Sequence, residues 1–326
     1  MEYRYIGRTG VRVSPICLGT AFRGQTDEKM CIRTIDRAIE LGCNFIDTAL
    51  YGEGVSETIV GKALKGRRHN IVICTKVHGT LGSSPAQHGL TRINLIRGVE
   101  SSLKRLQTDY IDLYLLHSFD PDTPVEEIVH TLDDLVHQGK VRYTGCSNWP
   151  VRKVVEALWV SDKRNLASFK CLQYQYSLQN RWEFEPELAP LCREFGLGMI
   201  AYSPLAIGLL TGRFRRGDTP PEHSPWGLNP ASGLSRFKYN FEEAMTEQMD
   251  RIVRALIDIG RKYGKTPAQV ALSWMLDHPE ITAPILGADQ PDQVDEVFGA
   301  IGWTLDREHR LTLDELSVPD MPAKYT

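Results

Sequence analysis

Four side chains that can hold or transfer a proton stand close to the ends of predicted strands. Asp47, Lys76 and His117 each follow or end a short apolar run, and Tyr51 comes four residues after Asp47. Any one of them alone is more simply explained as a surface or capping residue. An acid, an amine and an imidazole at three successive strand ends, with a tyrosine nearby, indicate a shared site.

These residue types suit the delivery of a proton to a carbonyl oxygen. A free tyrosine has a pKa of about 10, and a neighbouring ammonium such as Lys76 stabilises the phenolate and lowers that pKa. Asp47 can pair with Lys76 and keep it charged, while His117 can hydrogen-bond a substrate oxygen or relay a proton. Side chains do not supply a hydride, so a reduction at this site requires a cofactor.

The surrounding sequence alternates short apolar strands with amphipathic helices. Strands are expected at 16–20, 43–47, 71–75, 110–116, 141–146, 171–175, 198–202 and 282–286, and helices at 27–41, 55–65, 92–106, 124–138, 150–161, 186–195 and 291–301. Eight such units favour an α/β fold, a closed (β/α)8 TIM barrel, and an open doubly wound sheet is the alternative. No stretch is typical of a linker, so a single domain over residues 1–326 is expected.

Two further segments complete the predicted architecture. Residues 3–13 alternate in polarity and are predicted to form an N-terminal β-hairpin with Gly10 in its turn. A long loop is expected after the seventh strand, at residues 213–245, which are rich in Pro, Gly and Ser and contain Trp226. A loop of this length is usually functional or mobile, so a lid over the site and a disordered surface excursion both stay open.

The composition narrows the class of protein. Apolar residues make up 42% of the chain, charged residues 24%, and the formal net charge is -3, which gives no electrostatic argument for binding nucleic acid or an anionic membrane. No apolar run approaches the ~20 residues of a membrane span, and the N-terminus lacks the apolar core of a signal peptide. Seven scattered cysteines without a Cys-x-x-Cys pair indicate reduced thiols in a cytoplasmic enzyme, and no metal site is expected.

Polar residues also end the later strands. Ser147 and Asn148 follow the fifth strand, Gln173 lies in the sixth, and Tyr202 with Ser203 ends the seventh. In a (β/α)8 barrel the active site lies at the C-terminal ends of the strands, so these residues are expected around the same opening as Lys76. Gln173 and Ser203 can instead satisfy backbone groups, and Tyr202 can be a core aromatic.

Several segments together resemble the aldo-keto reductase family over essentially the whole chain. They are Asn44-Phe-Ile-Asp-Thr-Ala49 with Tyr51-Gly52, Cys74-Thr-Lys76, Asp109 to His117, Gly145-Cys-Ser-Asn148, Gln173 to Leu178, Ala201-Tyr-Ser-Pro-Leu205 and Gly208-Leu-Leu-Thr-Gly212. No single segment is specific, whereas the set is. The resemblance implies an NAD(P)H-dependent oxidoreductase that reduces an aldehyde or ketone, such as a sugar or another polar carbonyl, to an alcohol, or runs the reverse reaction.

The same resemblance implies a role for each site residue. Tyr51 is the general acid/base, and Asp47, Lys76 and His117 complete a catalytic tetrad. The residues implied to bind the cofactor are Gly19, Thr20, Asp47, Ser147, Asn148, Gln173, Tyr202, Ser203, Pro204, Leu205, Gly208, Leu210, Thr211, Gly212, Arg213, Gly287, Ala288, Asp289, Gln293 and Glu296. The residues expected to line the substrate pocket are Phe22, Arg23, Tyr51, His117, Trp149 and Trp182.

Two departures from the family pattern bear on these roles. The family usually has one more residue between the aspartate and the tyrosine than separates Asp47 from Tyr51. Many members also carry an arginine near the 2′-phosphate of NADP, at the position where this chain has Asp289. An acidic residue repels a phosphate but can accept a hydrogen bond from a ribose hydroxyl. We expect NADP(H), with Arg213 or Arg215 as the substitute cation, and NAD(H) stays possible.

Two other functions stay open. A nicotinamide-binding sensor or accessory subunit, resembling the potassium-channel β subunits, keeps the fold and the cofactor. A barrel isomerase or aldolase uses Lys76 to form a Schiff base. For the reductase, and for an isomerase or aldolase, the expected partner is a small carbonyl or alcohol. The oligomeric state is left open.

Overall fold

Eight parallel strands close into a barrel behind a short N-terminal hairpin. A computed structural model of the chain describes residues 1–22, 27–77, 87–222, 224–227 and 240–318. The hairpin consists of β1 (Arg4–Tyr5) and β2 (Arg12–Val13), and the barrel consists of β3 (Cys17–Gly19), β4 (Phe45–Asp47), β5 (Val72–Val77), β6 (Ile111–Leu116), β7 (Val141–Ser147), β8 (Phe169–Gln175), β9 (Gly198–Tyr202) and β10 (Ile281–Gly287). The last strand pairs with β3, which closes the ring and confirms the predicted (β/α)8 fold.

Helices surround the barrel. Within the described residues they are α1 (Glu28–Glu40), α2 (Val55–Ala63), α3 (Arg92–Leu106), α4 (Val125–His137), α5 (Val151–Arg164), α6 (Ala189–Phe195), α7 (Phe241–Ala244), α8 (Glu247–Tyr263), α9 (Pro267–Leu276), α10 (Pro291–Phe298) and α11 (Arg307–Leu316). Three of the later helices, α8, α9 and α11, were not predicted as units of the barrel. The first of them buries Ile252, Leu256 and Ile259 at helical spacing, so its sequence carried the signal.

Two apolar layers hold these elements together. One fills the barrel and includes Phe45, Leu113 and Ile200, and the other lies between the strands and the helices. Ile6 and Val13 of the hairpin belong to the inner layer, so the hairpin covers the end of the barrel at which the strands begin. Polar side chains are therefore left to gather at the opposite end.

The hairpin turn depends on a different glycine from the one we expected. Gly7 adopts a left-handed φ of 51°, and a Cβ atom there would collide with the backbone of Gly196 and Gly198. Gly10 has no positive φ and no neighbour that a Cβ atom would meet. The prediction that Gly10 supplies the turn is wrong, because close packing against the start of β9 selects glycine at position 7 instead.

Part of the predicted 213–245 loop is packed on the barrel. Trp226 is buried and its Nε1 donates to the Ile207 carbonyl at 3.0 Å, while Arg215 Nε donates to Asp250 of α8 at 2.8 Å. Residues 241–244 form α7. These contacts argue against a disordered excursion for residues 213–222 and 224–227. The prediction of a lid depends on residues 228–239, which lie outside the described part of the chain.

Candidate active site

The register of the strands brings the predicted residues to one end of the barrel. Asp47 is the last residue of β4 and pairs across to Gly19 of β3 and Cys74 of β5, and Lys76 lies two residues beyond Cys74 on the same face. His117 follows β6 directly, and its backbone N–H donates to the Val77 carbonyl at 3.0 Å. Strand pairing alone therefore places the acid, the amine and the imidazole at neighbouring strand ends.

Asp47 and Lys76 form a buried ion pair at the centre of this end. Lys76 Nζ lies 2.6 Å and 2.7 Å from the two Asp47 carboxylate oxygens and donates to the Thr48 carbonyl at 2.9 Å. Gln173 Nε2 donates to Asp47 Oδ1 at 2.9 Å. The Lys76 side chain is 0% exposed and that of Asp47 is 5% exposed. The three hydrogen bonds of the ammonium fix its position, since a lysine ammonium has three donors.

The surroundings of Lys76 keep it protonated. Burial by itself lowers the pKa of the Lys76 ammonium, but the neighbouring Asp47 and Tyr51 outweigh this effect and hold the pKa above its ordinary value. A permanently charged Lys76 is required if it is to stabilise a phenolate. It also disfavours the Schiff-base alternative, since a nucleophilic lysine has to be deprotonated.

Tyr51 and His117 lie over this ion pair. Their ring centroids are 6.1 Å apart at 79°, an edge-to-face contact, and Lys76 Nζ lies 5.8 Å from the centroid of the Tyr51 ring. Both rings are partly exposed, whereas the ion pair beneath them is buried. The four predicted residues are therefore neighbours, with the phenol and the imidazole facing the open side.

A tight turn begins at Tyr51 and leads into α2. Tyr51 begins a tight turn over Tyr51–Gly54, in which Gly52, Glu53 and Gly54 have left-handed φ values of 56°, 57° and 95°. A left-handed residue other than glycine costs roughly 1–2 kcal/mol. The two hydroxyls of Thr48 and Ser56 lie 2.7 Å apart and close the base of this loop. This strained turn follows Tyr51 and leads the chain directly into α2.

Hydrogen bonds join several of the remaining residues that are predicted to bind the nicotinamide. Asn148 has a left-handed φ of 56°, its Nδ2 donates to Ser147 Oγ at 3.0 Å, and its Oδ1 accepts from the Tyr202 hydroxyl at 2.9 Å. Thr20 donates from both its N–H and its hydroxyl to the Asp47 carbonyl, at 2.9 Å and 3.0 Å, with Gly19 just before it. Thr20 therefore supports the backbone of Asp47 from the first strand of the barrel.

The chain after β9 forms a second tight turn. Ser203, Ala206, Ile207 and Gly208 all have positive φ, and Gly212 does so as well. Left-handed backbone is strained in residues that carry a side chain, so a run of such residues is unusual. It supports the hypothesis that this segment is functional. The predicted cofactor residues of this segment lie in or beside the turn, and they are Ser203, Pro204, Leu205, Gly208, Leu210, Thr211, Gly212 and Arg213.

The third segment that is predicted to bind the cofactor lies at the end of β10. Gly287 is exposed, and a Cβ atom there would meet nothing within 4 Å, so its backbone is bare. Ala288 beside it is buried. The Asp289 N–H donates to Gln293 Oε1 at 2.7 Å, and Arg213 Nη2 lies 3.5 Å from Glu296 Oε2. The expected cation Arg213 thus reaches α10, whereas Arg215 is held by Asp250 of α8.

These three segments fit an extended dinucleotide. They offer polar groups beside the ion pair, a turn of left-handed residues after β9, and bare backbone at Gly287 before the N-terminus of α10. Free backbone N–H groups at the start of a helix attract phosphate. The fit is less favourable for a 2′-phosphate than in a site with an arginine at position 289, because Glu296 already occupies Arg213.

The residues expected to line the substrate pocket have mixed outcomes. Phe22, with a left-handed φ of 43°, and Trp182 are both partly exposed, and Arg23 lies outside the described residues. Trp149 is only 1% exposed and packs edge-on against Phe119 and Phe169 at 5.2 Å and 5.7 Å. The packing of the Trp149 ring in the apolar layer between strands and helices gives no support to its expected place in the pocket lining, which stays a prediction.

Several residues of this end were missed by the sequence analysis. Ser56 bridges the loop base, and the fully buried Glu57 binds Arg105 of α3 and Thr75 of β5. No periodicity identifies such contacts, because acidic and basic residues on amphipathic helices ordinarily face solvent. The only available signal was the position of Ser56 and Glu57 directly after the glycines of the Tyr51 loop.

Other site classes gain no support from the described residues. They contain no group of three or more His, Cys, Asp or Glu side chains that could hold a metal ion, and no helix long and apolar enough to cross a membrane. All seven cysteines are buried and none forms a disulfide, and burial raises the pKa of the Cys31 thiol to about 11 and that of Cys192 to about 12. Such thiols are poor nucleophiles near neutral pH.

Comparison with known proteins agrees with this geometry. The sequence profile described as "Aldo/keto reductase family" matches residues 15–318. The uncharacterized oxidoreductase YrpG of Bacillus subtilis is 37% identical over 330 residues, covering 97% of this chain and 96% of that protein. Probable voltage-gated potassium channel beta subunits of Oryza sativa subsp. japonica and Arabidopsis thaliana are each 32% identical over 307 residues, covering 92% of this chain and 91% of theirs. The chain belongs to the aldo/keto reductase family.

Proposed function

We propose that the chain is an NADP(H)-dependent oxidoreductase that reduces an aldehyde or ketone to an alcohol. The observation that carries the proposal is the buried Asp47–Lys76 ion pair with Tyr51 and His117 directly above it. An oxidoreductase among the relatives, similar over nearly the whole chain, supports the same conclusion. When bound, the nicotinamide supplies the hydride, which no side chain can provide.

The side chains perform the proton chemistry. Tyr51 donates its proton to the carbonyl oxygen as the alkoxide forms, and its phenolate is stabilised by the Lys76 ammonium. Asp47 keeps Lys76 charged and in place. His117 lies beside Tyr51 and hydrogen-bonds the carbonyl oxygen, which holds the substrate within reach of the phenol.

The three segments described above, namely the polar groups beside the ion pair, the turn after β9 and the end of β10, are proposed to hold the cofactor. Ser147, Asn148 and Gln173 would bind the carboxamide of the nicotinamide, and Tyr202 would lie along its ring. The turn after β9 and the bare backbone at Gly287 would bind the phosphates and the adenosine. NADP(H) is favoured by the family resemblance and by Arg213 at α10, whereas Asp289 and Glu296 favour NAD(H), so the preference is expected to be small.

The direct test is a substrate panel. Purified protein is mixed with NADPH, or with NADH, and a range of aldehydes and ketones that includes sugars and other polar carbonyls. Absorbance of the reduced nicotinamide is followed, and the alcohol product is identified. Carbonyl-dependent oxidation of the cofactor supports the proposal. Binding of NADPH without oxidation by any carbonyl in the panel would overturn it.

A second candidate rests on the relatives from rice and Arabidopsis. These relatives are described as probable voltage-gated potassium channel beta subunits, so a nicotinamide-binding accessory subunit is the alternative for this chain. Such a role requires cofactor binding but not turnover. The same panel separates the two functions, since an accessory subunit would bind NADPH while leaving it unoxidised.

A further inference from the structure

Glu57 is a buried carboxylate in the apolar layer outside the barrel, close to the proposed active site. Its side chain is 0% exposed, Oε2 accepts from Arg105 Nε at 2.6 Å, and Oε1 accepts from the Thr75 hydroxyl at 2.6 Å. A buried charge is costly unless it is paired and hydrogen-bonded, and both oxygens of Glu57 are satisfied. None of the proton-transfer steps proposed above uses it.

The first contact of Glu57 reaches the strand that carries Lys76. Successive residues of a strand face opposite sides, so Thr75 points to the helices while Lys76 points into the barrel. The Thr75 hydroxyl donates to Glu57, which ties α2 to β5 at the residue just before Lys76. A shift of Glu57 therefore moves the backbone next to the ammonium.

The second contact reaches the loop that carries Tyr51. Arg105 extends from α3 to Glu57, and its side chain lies directly against the backbone of Gly54, where a Cβ atom would collide with Arg105 Cδ. Gly54 is the last residue of the left-handed run that follows Tyr51, and Glu57 lies three residues beyond it in the first turn of α2. The Arg105 side chain thus lies against the strained segment that follows Tyr51.

We propose that Glu57 and Arg105 are positioning residues for Tyr51. The pair holds the shortened loop against β5, so that the phenol lies over Lys76 despite the missing residue between Asp47 and Tyr51. This inference rests on the proposed function for its kinetic consequences, while its structural consequence stands independently. Neither residue contacts the reacting groups, and their effect is transmitted through Gly54 and Thr75.

The experiment compares two ion pairs that each hydrogen-bond β5, one at Thr75 and the other at Ile73. Glu57→Gln keeps the shape of the side chain and leaves Arg105 without its carboxylate. Asp112→Asn is the matched control, because Asp112 at the start of β6 pairs with Arg68 at 2.6 Å and accepts from the Ile73 N–H of β5 at 2.9 Å. Both substitutions remove a carboxylate from a largely buried pair, but only Glu57 lies beside the Tyr51 loop.

The kinetic readouts separate positioning from stability. Glu57→Gln is expected to lower kcat by on the order of tenfold to a hundredfold, the penalty for a misplaced catalytic group, with the NADPH Kd unchanged. The alkaline limb of kcat moves to higher pH, because a phenol withdrawn from Lys76 returns toward its ordinary pKa of about 10. Asp112→Asn is expected to lower stability while leaving kcat and its pH profile as in the wild type. Equal kinetics for both variants would overturn the proposal.

A readout that needs no turnover keeps this inference distinct from the proposed function. Hydrogen–deuterium exchange of peptides covering residues 48–56 is expected to be faster in Glu57→Gln than in the wild type and in Asp112→Asn. Unchanged exchange there overturns the inference even if carbonyls are reduced. Faster exchange in a protein that reduces no carbonyl retains the structural role of the pair and rejects only the enzymatic function.

A second substitution covers the case in which Glu57→Gln does not fold. Arg105→Lys keeps a positive charge beside Glu57 but replaces the planar guanidinium, which lies against Gly54, by a compact ammonium. It is expected to fold, to show faster exchange over residues 48–56, and to shift the alkaline limb in the same direction as Glu57→Gln. Wild-type exchange and kinetics in Arg105→Lys would contradict the proposed support of Gly54.

Discussion

Two ion pairs near the C-terminal end of the barrel differ in almost every physical respect. Lys76 and Asp47 are 0% and 5% exposed and 2.6 Å apart, whereas Arg213 and Glu296 are 62% and 30% exposed and 3.5 Å apart. The buried charges attract each other through a low dielectric and have no water to replace a lost partner. The exposed charges are screened by water and salt.

The surroundings of the two pairs extend the contrast. The buried pair is fixed by Gln173 and the Thr48 carbonyl, and Tyr51 lies directly over it. The exposed pair lies between a turn of left-handed residues and the bare backbone of Gly287. Hydrogen bonds thus hold the side chains most closely at the pair to which we assign proton transfer. The side chains are most exposed where we propose that the cofactor binds.

Breaking the buried pair is expected to have the largest effect. Lys76→Met leaves Asp47 buried without its counter-ion, which costs about 3–5 kcal/mol in the free energy of unfolding. Turnover is expected to fall by about 10²–10⁴, because the phenol loses the charge that stabilises its phenolate. Urea unfolding and NADPH oxidation measure the two effects.

The exposed pair supplies the control for that substitution. Arg213→Met removes the same kind of charge from a solvated partner, and the free energy of unfolding is expected to change by less than about 1 kcal/mol. Similar losses of stability in Lys76→Met and Arg213→Met would show that burial does not distinguish the two pairs, and the contrast drawn above would fail.

Reversing a charge at the open side is expected to have an intermediate effect on cofactor choice. Asp289→Arg replaces a repulsive carboxylate by a guanidinium that can bind a 2′-phosphate, so NADPH affinity relative to NADH is expected to rise by about tenfold, or ~1.4 kcal/mol. Fluorescence titrations with both cofactors measure the ratio. Asp289→Asn, which removes only the repulsion, should give a smaller rise. An unchanged ratio in Asp289→Arg would place the adenosine elsewhere.

Raising the pH toward 9 is expected not to weaken the contribution of the buried Lys76–Asp47 pair to stability. Burial lowers the pKa of Lys76, but Asp47 and Tyr51 hold it above its ordinary value. A raised pKa gives stability that is fully present below the unfolded pKa and is lost as the pH rises through the folded value. The stability difference between the wild type and Lys76→Met is therefore expected not to decrease as the pH rises from about 6 to about 9, below the ordinary lysine pKa of about 10.4.

A decline of that difference as the pH rises through the same window would mean that Lys76 loses its proton near neutrality. It could then neither stabilise a phenolate nor hold Asp47 by charge. Denaturant unfolding of both proteins in the same buffers, at constant ionic strength, measures the difference. A decrease toward low pH reports protonation of the unpaired Asp47 in Lys76→Met, whereas only a decrease toward high pH reports deprotonation of Lys76.

Residue types and spacing predicted the barrel and the four residues at its centre. Apolar runs that end in Asp47, Lys76 and His117 indicate strand ends, and a closed parallel barrel has only one place for those ends to meet. Tyr51 was predicted despite its short spacing from Asp47. The tight turn that follows Tyr51 contains three consecutive left-handed residues, which the two glycines only suggest.

Contacts between distant helices could not be predicted in this way. Glu57 and Arg105 are 48 residues apart, and each one resembles an ordinary charged residue on an amphipathic helix. Trp149 follows a strand end, as a pocket residue does, yet its packing against Phe119 and Phe169 decides its position. Such outcomes depend on three-dimensional packing, to which a single sequence gives no direct access.

The most direct test of the central claim is turnover and cofactor binding in Tyr51→Phe. This substitution removes one hydroxyl and leaves the ring that contacts His117. With the best carbonyl from the panel, kcat is expected to fall by about 10²–10⁴ while the NADPH Kd stays at its wild-type value. Wild-type turnover in Tyr51→Phe would contradict the claim that this phenol, held over the buried Asp47–Lys76 pair, delivers the proton.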